Sequence, residues 1–302
     1  MSARCRAILA VNVAVLLFGL VGPLAKEIRL GALDLTFWRV VMSSSALGIF
    51  LLARRRSIRV SSRRDVLSII VAGVVLAVHW WTFIGAIQVS TVAIGTITFA
   101  SFPLFLTFLE PLAFGGGLRA GDVLVALVIL VGVSITVPEL SLEDSTTLGV
   151  VIGMTSTFLY AVLALFNKVL SARLGSVLTA FWEQVVATAL LAPFVLSSGA
   201  WPEAGDVVPL LVLGVVTTAV AHTMFISGLS GLPAHLAGVL SSMETVYGII
   251  MAMLILGERP ALREWIGAII VVGTVVFANL RSHRDETGGA PAEAPVVTPS
   301  ID

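Results

Sequence analysis

Seven polar or ionisable residues of this 302-residue chain fall inside long apolar stretches: Asn12, Arg39, His79, Glu183, Gln184, His222 and Glu244. An ionisable side chain at the centre of a bilayer costs ~2.5–3.5 kcal/mol on insertion scales, so each calls for an explanation. Glu244 sits in Ser241-Ser242-Met243-Glu244-Thr245-Val246-Tyr247, among hydroxyls. Its carboxyl can bind an amine or carry a proton, and a buried acid paired to Arg39 is the competing account. Glu183 follows Trp182 and lies 144 positions after Arg39, which makes Arg39 and Glu183 candidates for an ion pair or for coupling. His79 precedes Trp80 and Trp81. Imidazole can titrate near neutral pH or hydrogen-bond a carboxylate, whereas paired tryptophans serve equally in a cavity or an interfacial belt. His222 is read as a bond between helices. The candidate substrate-binding set is therefore His79, Trp81, Phe99, Ser101, Tyr160 and Glu244. Pro23 and Pro103 interrupt apolar runs; a proline frees a carbonyl and loosens a helix, so both are candidates for gating, a static kink being the alternative.

Other chemistries find no residues to carry them. The Gly115–Gly121 loop has neither the spacing nor the preceding strand of a phosphate cradle. No nucleotide-binding motif, Cys/His metal cluster or Ser/His/Asp set is present, so neither cofactor nor metal is expected, and no enzyme activity.

These residues need elements to hold them, and the composition says which. A, V, I, L, M, F, W, Y and C make up 58% of the chain and charged residues 12%, against ~25% charged in soluble domains. No water-soluble interior of this size hides that many apolar side chains. The 18 basic and 18 acidic residues cancel, which excludes a nucleic-acid binder, and the lone Cys5 excludes an intrachain disulfide scaffold. Ten apolar runs follow, near Ala7–Ala25, Leu33–Ala53, Val66–Ile87, Thr91–Phe114, Asp122–Val137, Leu148–Phe166, Ser176–Leu196, Val207–Leu229, Ala234–Leu256 and Trp265–Leu280. Most have the ~17–24 residues that a ~30 Å hydrocarbon core requires of a helix, and they are too long and uniform for barrel strands. The first run exceeds a signal-peptide core and is expected to be retained.

Lys and Arg divide unevenly between the two sides, thirteen against four (Lys26, Arg29, Arg259 and Arg263). The positive-inside rule then puts both termini in the cytoplasm. The Arg54–Arg64 cluster reads as a topology anchor in contact with anionic lipid. Residues 285–302 are rich in Pro, Gly and Ala without apolar period and are expected to be a disordered cytoplasmic tail.

The halves repeat. Phe37-Trp38 opens the second run and Phe181-Trp182 the seventh, while Phe99–Gly115 aligns with Leu240–Gly257 at an offset of 142. Five helices repeated once give opposite orientations, because five is odd. The expected fold is an all-α polytopic membrane protein of ten transmembrane helices in two inverted five-helix repeats, residues 1–140 and 146–281. Inverted repeats of this kind mark transporters that alternate access about a midplane site.

The corner Leu256-Gly257-Glu258-Arg259, its degenerate counterpart Phe114-Gly115-Gly116-Gly117, and the opening Leu16–Ile28 with its Phe-Gly, Pro and Lys resemble the EamA-type drug/metabolite transporter superfamily. The aromatics of the third and fourth runs most resemble its bacterial aromatic amino acid exporter branch. The resemblance covers residues 7–280 and implies an inner-membrane secondary exporter of small metabolites, neutral or aromatic amino acids first, working as a monomer. Efflux of lipophilic cations by proton exchange at Glu183 or Glu244 is the alternative. Phosphorylated metabolites rank lower, because the spans offer only Arg39 and the terminal Lys168 as phosphate clamps.

Overall fold

A computed structural model of the protein describes residues 3–288, apart from 116, 119, 140, 230, 231 and 233. Every regular element among them is helical, as a bilayer demands of a chain that must satisfy its backbone within each segment. The first run is two helices, α1 (Ala3–Phe18) and α2 (Val21–Glu27), and α3 (Ala32–Ala53) and α4 (Arg63–Val89) follow. The fourth run is also divided, into α5 (Val92–Ala100) and α6 (Phe102–Phe114), before α7 (Ala120–Thr136) completes the first half. The second half comprises α8 (Ser145–Leu174), α9 (Ser176–Ser198), α10 (Val207–Leu211), a π-helical segment (Val212–Val220) continuous with α11 (Ala221–Leu229), α12 (Ala234–Ile255) and α13 (Leu262–Gly288). Seven of the predicted runs are long and apolar enough to span a membrane, and Ala120–Thr136 and Leu240–Ile255 are shorter apolar helices. The protein is a polytopic all-α membrane protein. Helix α13 continues four residues into the expected tail, and 289–302 lie outside the described residues.

Both divided runs owe their breaks to proline. Pro103 lies in the first turn of α6, where a missing N–H costs little, but it has none to give the carbonyl of Phe99. The chain turns tightly there, with Ser101 N–H on the carbonyl of Thr98 at 3.1 Å. Pro23 occupies the first turn of α2 after the break at Gly19-Leu20. A side chain at Gly19 would put its Cβ 2.8 Å from that of Tyr247, so only glycine allows this approach to α12.

The inverted repeat is visible as chemistry. Trp38 donates its indole N–H to the carbonyl of Ala200 (3.3 Å), and Trp182 donates to Ile58 (2.9 Å). Donors 144 apart meet acceptors 142 apart, and each Trp meets its preceding Phe edge-on at 5.2 Å. Helix packing obeys the same exchange. Helix α4 lies on α8 as α1 lies on α11, and α4 on α9 as the π segment on α3. The pairs α3 with α9, α5 with α12 and α7 with α13 cross the pseudo-twofold axis. Large apolar side chains on the outside, Leu67, Leu124, Leu254 and Ile269 among them, are exposed, the surface that faces lipid.

Candidate functional site

Where the halves meet, α1, α2, α3, α4, α5, α8, α11 and α12 surround a cavity of about 30 Å³. Such a space holds roughly two waters.

One wall is aromatic. Tyr160 of α8 has its ring 4.9 Å from His79, 4.8 Å from Phe99 and 5.2 Å from Phe102, and Phe83 lies 5.5 Å from Phe99. His79 Nδ1 is 2.9 Å from the carbonyl of Ser156 and 2.8 Å from its hydroxyl, which in turn donates to the carbonyl of His79. A carbonyl only accepts, so Nδ1 carries the proton and Nε2 is left the acceptor of the neutral ring. The imidazole is thus set to receive a hydrogen bond rather than to give one to a carboxylate.

The opposite wall is charged. Arg39 of α3 donates Nε and Nη2 to Thr218 Oγ1 at 3.1 and 3.0 Å. That hydroxyl donates to the carbonyl of Leu213, five residues back, at 2.6 Å. The guanidinium lies over Trp80, 4.2 Å from the ring centroid, and its Nη1 is buried without a hydrogen-bond partner. Glu244 of α12 lines the same cavity, and each of the two is the other's electrostatic partner. No direct ion pair joins them among the described residues. A guanidinium with a spare donor and a carboxylate therefore share one cavity without neutralising each other by contact.

The expected ion pair of Arg39 with Glu183 does not form among the described residues. Arg39 turns to the π segment, while Glu183, fully buried on α9, has His222 Nε2 3.6 Å from its Oε2. Trp81 is not on the cavity either. It points outward, 44% exposed, and Trp80 takes the inward place, because one residue along a helix turns the side chain by about 100°. Ser101 is fully buried at the break between α5 and α6, its hydroxyl directed to the carbonyl of Thr98 and to Met154 Sδ, away from the cavity lining. Of the candidate set, His79, Phe99, Tyr160 and Glu244 line one cavity. Phe18, Trp80, Phe83, Arg39 and His222 join them on the lining; of these His222 had been read only as a bond between helices. The hydroxyl that aims Arg39, Thr218, carried no signal beyond a β-branched, threonine-containing stretch before His222.

The end away from the arginine cluster is tied. Lys26 donates to the carbonyl of Ser90 (2.7 Å), and Gln88 to those of Ala25 and Leu30 (3.1 and 2.9 Å). Glu258 accepts from the backbone N–H of Val92 at 3.2 Å, and Glu264 from the hydroxyl of Thr91 at 3.1 Å. Partial burial raises the pKa of Glu258, against the opposing pull of that N–H and of Lys26. At the other end Lys168 pairs with Glu110 (2.8 Å) and Arg173 with Asp65 (2.9 Å).

Comparison with known proteins agrees with this architecture. A transporter of Bacillus subtilis, the uncharacterized YxxF, is 20% identical over 292 residues, which is 92% of this chain and 91% of that one. The uncharacterized inner membrane transporter YicL of Salmonella typhimurium is 24% identical, over 94% of this chain and 98% of that protein. A solved crystal structure superposes with a TM-score of 0.69 at 17% identity, covering 93% of this chain and 98% of its own; it speaks for the fold alone. The sequence matches the EamA-like transporter family over residues 6–137 and 147–280. Those two blocks take in both sets of five runs, and the chain is a membrane transporter of the EamA-like family.

Proposed function

We propose that this transporter exports neutral, preferentially aromatic, amino acids across a bacterial inner membrane, by alternating access around the central cavity. The observation that carries this is the unpaired opposition of Arg39 and Glu244 beside the Tyr160–Phe99–His79 wall. A zwitterion presents a carboxylate and an ammonium on one carbon, with the side chain leaving on a third bond. Arg39 Nη1 supplies a donor for the carboxylate, Glu244 and His79 Nε2 acceptors for the ammonium, and the rings a slot for the side chain. The cavity of about 30 Å³ is too small for an aromatic amino acid, so on this reading loading widens it as the halves, 1–140 and 146–281, part at one end. The breaks at Pro23 and Pro103, next to the lining residues Val21 and Phe99, are the joints that such a movement would use. The thirteen-to-four division of Lys and Arg supports cytoplasmic termini, and two complete halves in one chain support a monomer. No cofactor is invoked.

The test is counterflow of radiolabelled phenylalanine into liposomes containing the purified protein. We expect accumulation that unlabelled tryptophan and tyrosine compete, reduced at least roughly tenfold in both Arg39→Gln and Glu244→Gln, since each removes one partner of a buried charged contact worth ~2–5 kcal/mol. If phenylalanine does not accumulate while tetraphenylphosphonium does, and only Glu244→Gln abolishes its movement, the amino-acid proposal fails and efflux of lipophilic cations replaces it.

A further inference from the structure

Beside the cavity lies a second group of buried polar atoms that the proposed substrate binding leaves unused. Glu183 and Gln184 of α9 are both fully buried. Neither oxygen of Glu183 and neither amide atom of Gln184 makes a hydrogen bond, and Asn167 Oδ1 of α8 and His222 Nε2 of α11 are equally unpartnered. His222 and Asn167 are the side chains drawn up to the Glu183 carboxylate. At 3.6 Å, His222 Nε2 and Glu183 Oε2 stand just outside hydrogen-bond range. Meanwhile the His222 ring reaches the cavity, 5.4 Å from Trp80.

A buried carboxylate with no donor within hydrogen-bond distance is among the costliest groups a membrane interior can hold. Structural carboxylates are bonded, as Asp65 is to Arg173 and Glu258 to the N–H of Val92; Glu183 is not. One proton removes the imbalance. With a single proton on the Glu183–His222 pair, the buried charge is compensated whichever of the two carries it, and the 3.6 Å gap closes into an ordinary hydrogen bond. The ionisable groups that face Glu183 from the packed helices are His222 of α11 and Tyr160 of α8. Arg39 of α3 and His79 of α4 share the cavity with His222, as does Glu244 of α12. Asn167 and Gln184 add only neutral dipoles.

We propose that Glu183 and His222 form a proton-binding site, connected to the central cavity through the His222 imidazole, whose filling is linked to the movement of the transporter. In the loading step hydronium in the cavity gives a proton to one nitrogen of the His222 imidazole, which releases one from Nε2 to Glu183 Oε2, leaving water, a neutral imidazole and a carboxylic acid; no electron moves. The link to transport rests on the alternating-access proposal above, whereas the site itself does not.

Infrared difference spectra on a pH step, recorded from the protein in liposomes, read the site directly. A protonated-carboxyl carbonyl band that titrates is expected. One component of it should vanish in Glu183→Gln, persist in Glu244→Gln, and have its midpoint moved by about one pH unit or more in His222→Gln. Should Glu183→Gln fail to fold, the displaced midpoint in His222→Gln and in Glu183→Asp is the measure. A spectrum of Glu183→Gln that lacks no titrating component of the wild-type band, or a Glu183 component that follows sodium concentration instead of pH, overturns the site. Phenylalanine accumulation driven by a pH gradient reads the link. We expect the excess over counterflow to disappear in Glu183→Gln, and a wild type indifferent to the gradient overturns the link. Failure of phenylalanine to move at all, with the band intact, sinks the substrate proposal and leaves the site standing.

Discussion

Thr218 is placed to decide where Arg39 points, and a double-mutant cycle measures how strongly. Two guanidinium donors converge on one hydroxyl, at 3.1 and 3.0 Å, and that hydroxyl spends its own proton on the Leu213 carbonyl. The segment that carries it winds as a π-helix and presses on α3. A Cβ at Gly214 would stand 2.6 Å from that of Met42 and 3.1 Å from the carbonyl of Arg39. Thr218→Val keeps the shape and removes the oxygen. Arg39 Nε and Nη2 would then join Nη1 as buried donors without acceptors. Hydrogen bonds between helices in membranes average ~0.6 kcal/mol and reach ~1.7, and charge-assisted bonds are roughly twice as strong as neutral ones. The substitution should therefore cost about 1–3 kcal/mol.

Arg39→Gln removes more: the same bonds, the stack on Trp80, which is worth ~2 kcal/mol when desolvated, and the charge that balances Glu244. About 3–5 kcal/mol is expected. The double variant should fall short of the sum by about 1–2 kcal/mol, the coupling between the two side chains. Equilibrium unfolding in bicelles, followed by steric trapping, resolves differences of this size. Thr218→Ser, which restores the hydroxyl, should recover most of the loss. Additivity within ~0.5 kcal/mol would refute the assignment and leave Trp80 alone holding the guanidinium.

Trp80→Leu should lower phenylalanine affinity at least roughly tenfold and destabilise Arg39, whereas Trp81→Leu, on the lipid-facing side, should leave counterflow within about twofold of wild type; equal losses would mean that the helix is rotated relative to the cavity. Gly132→Leu should destabilise by ~1–3 kcal/mol in the same unfolding assay, because a Cβ at Gly132 already meets Ile270 and Val271 of α13 at 2.9 Å, and no loss would mean that α7 and α13 can separate freely. Glu258 has its pKa raised above 4.5 in the folded state, so folding favours its protonated form. Its contribution to stability is full below about pH 4.5 and is lost as pH rises through the raised value. Melting profiles of wild type and Glu258→Gln should differ in slope across that window, by a small amount since the group is half in solvent, and parallel profiles would contradict the assignment.

The sequence was most legible where physics acts on long averages. Apolar runs of bilayer length gave the helices, and the Phe-Trp pairs 144 apart gave the repeat, since they perform the same task at each end: an indole N–H tied to the returning loop. Polar side chains in apolar runs singled out Glu244 and His79 as candidates, because the burial cost leaves few other places for them, and both line the cavity; Tyr160 stood out only as one aromatic among several. What failed was direction around a helix. Trp80 and Trp81 differ by a rotation that adjacent residues in an apolar run do not reveal, and Ser101 sits at a break whose geometry depends on Pro103. Arg39 and Glu183 occupy equivalent positions, which suggested a pair. Equivalence across an axis fixes where two backbones sit, not which neighbour each side chain finds. Arg39 found a hydroxyl on a π-helical segment, and no spacing rule forecasts that winding.

For a transporter that alternates access as proposed, near-symmetry of fold with asymmetry of chemistry would give the architecture a bias. The backbone exchange of the two halves maps one set of helix contacts onto the other, so opening at either end would be equally costly if the side chains also matched. They do not. Glu258 of the second-half corner holds the start of α5 through the N–H of Val92, and Glu264 holds Thr91 beside it. In the first-half corner the position of Glu258 is taken by Gly116 and that of Glu264 by Asp122, and that end is held instead by the pairs Lys168–Glu110 and Arg173–Asp65. Each such contact is worth on the order of 1 kcal/mol net, less for the half-exposed Glu258. A difference of 1.4 kcal/mol is already tenfold in population. Under the alternating access proposed above, a difference of one or two such bonds between the ends is enough to set which way a symmetric frame rests, while staying small enough for a bound substrate to reverse.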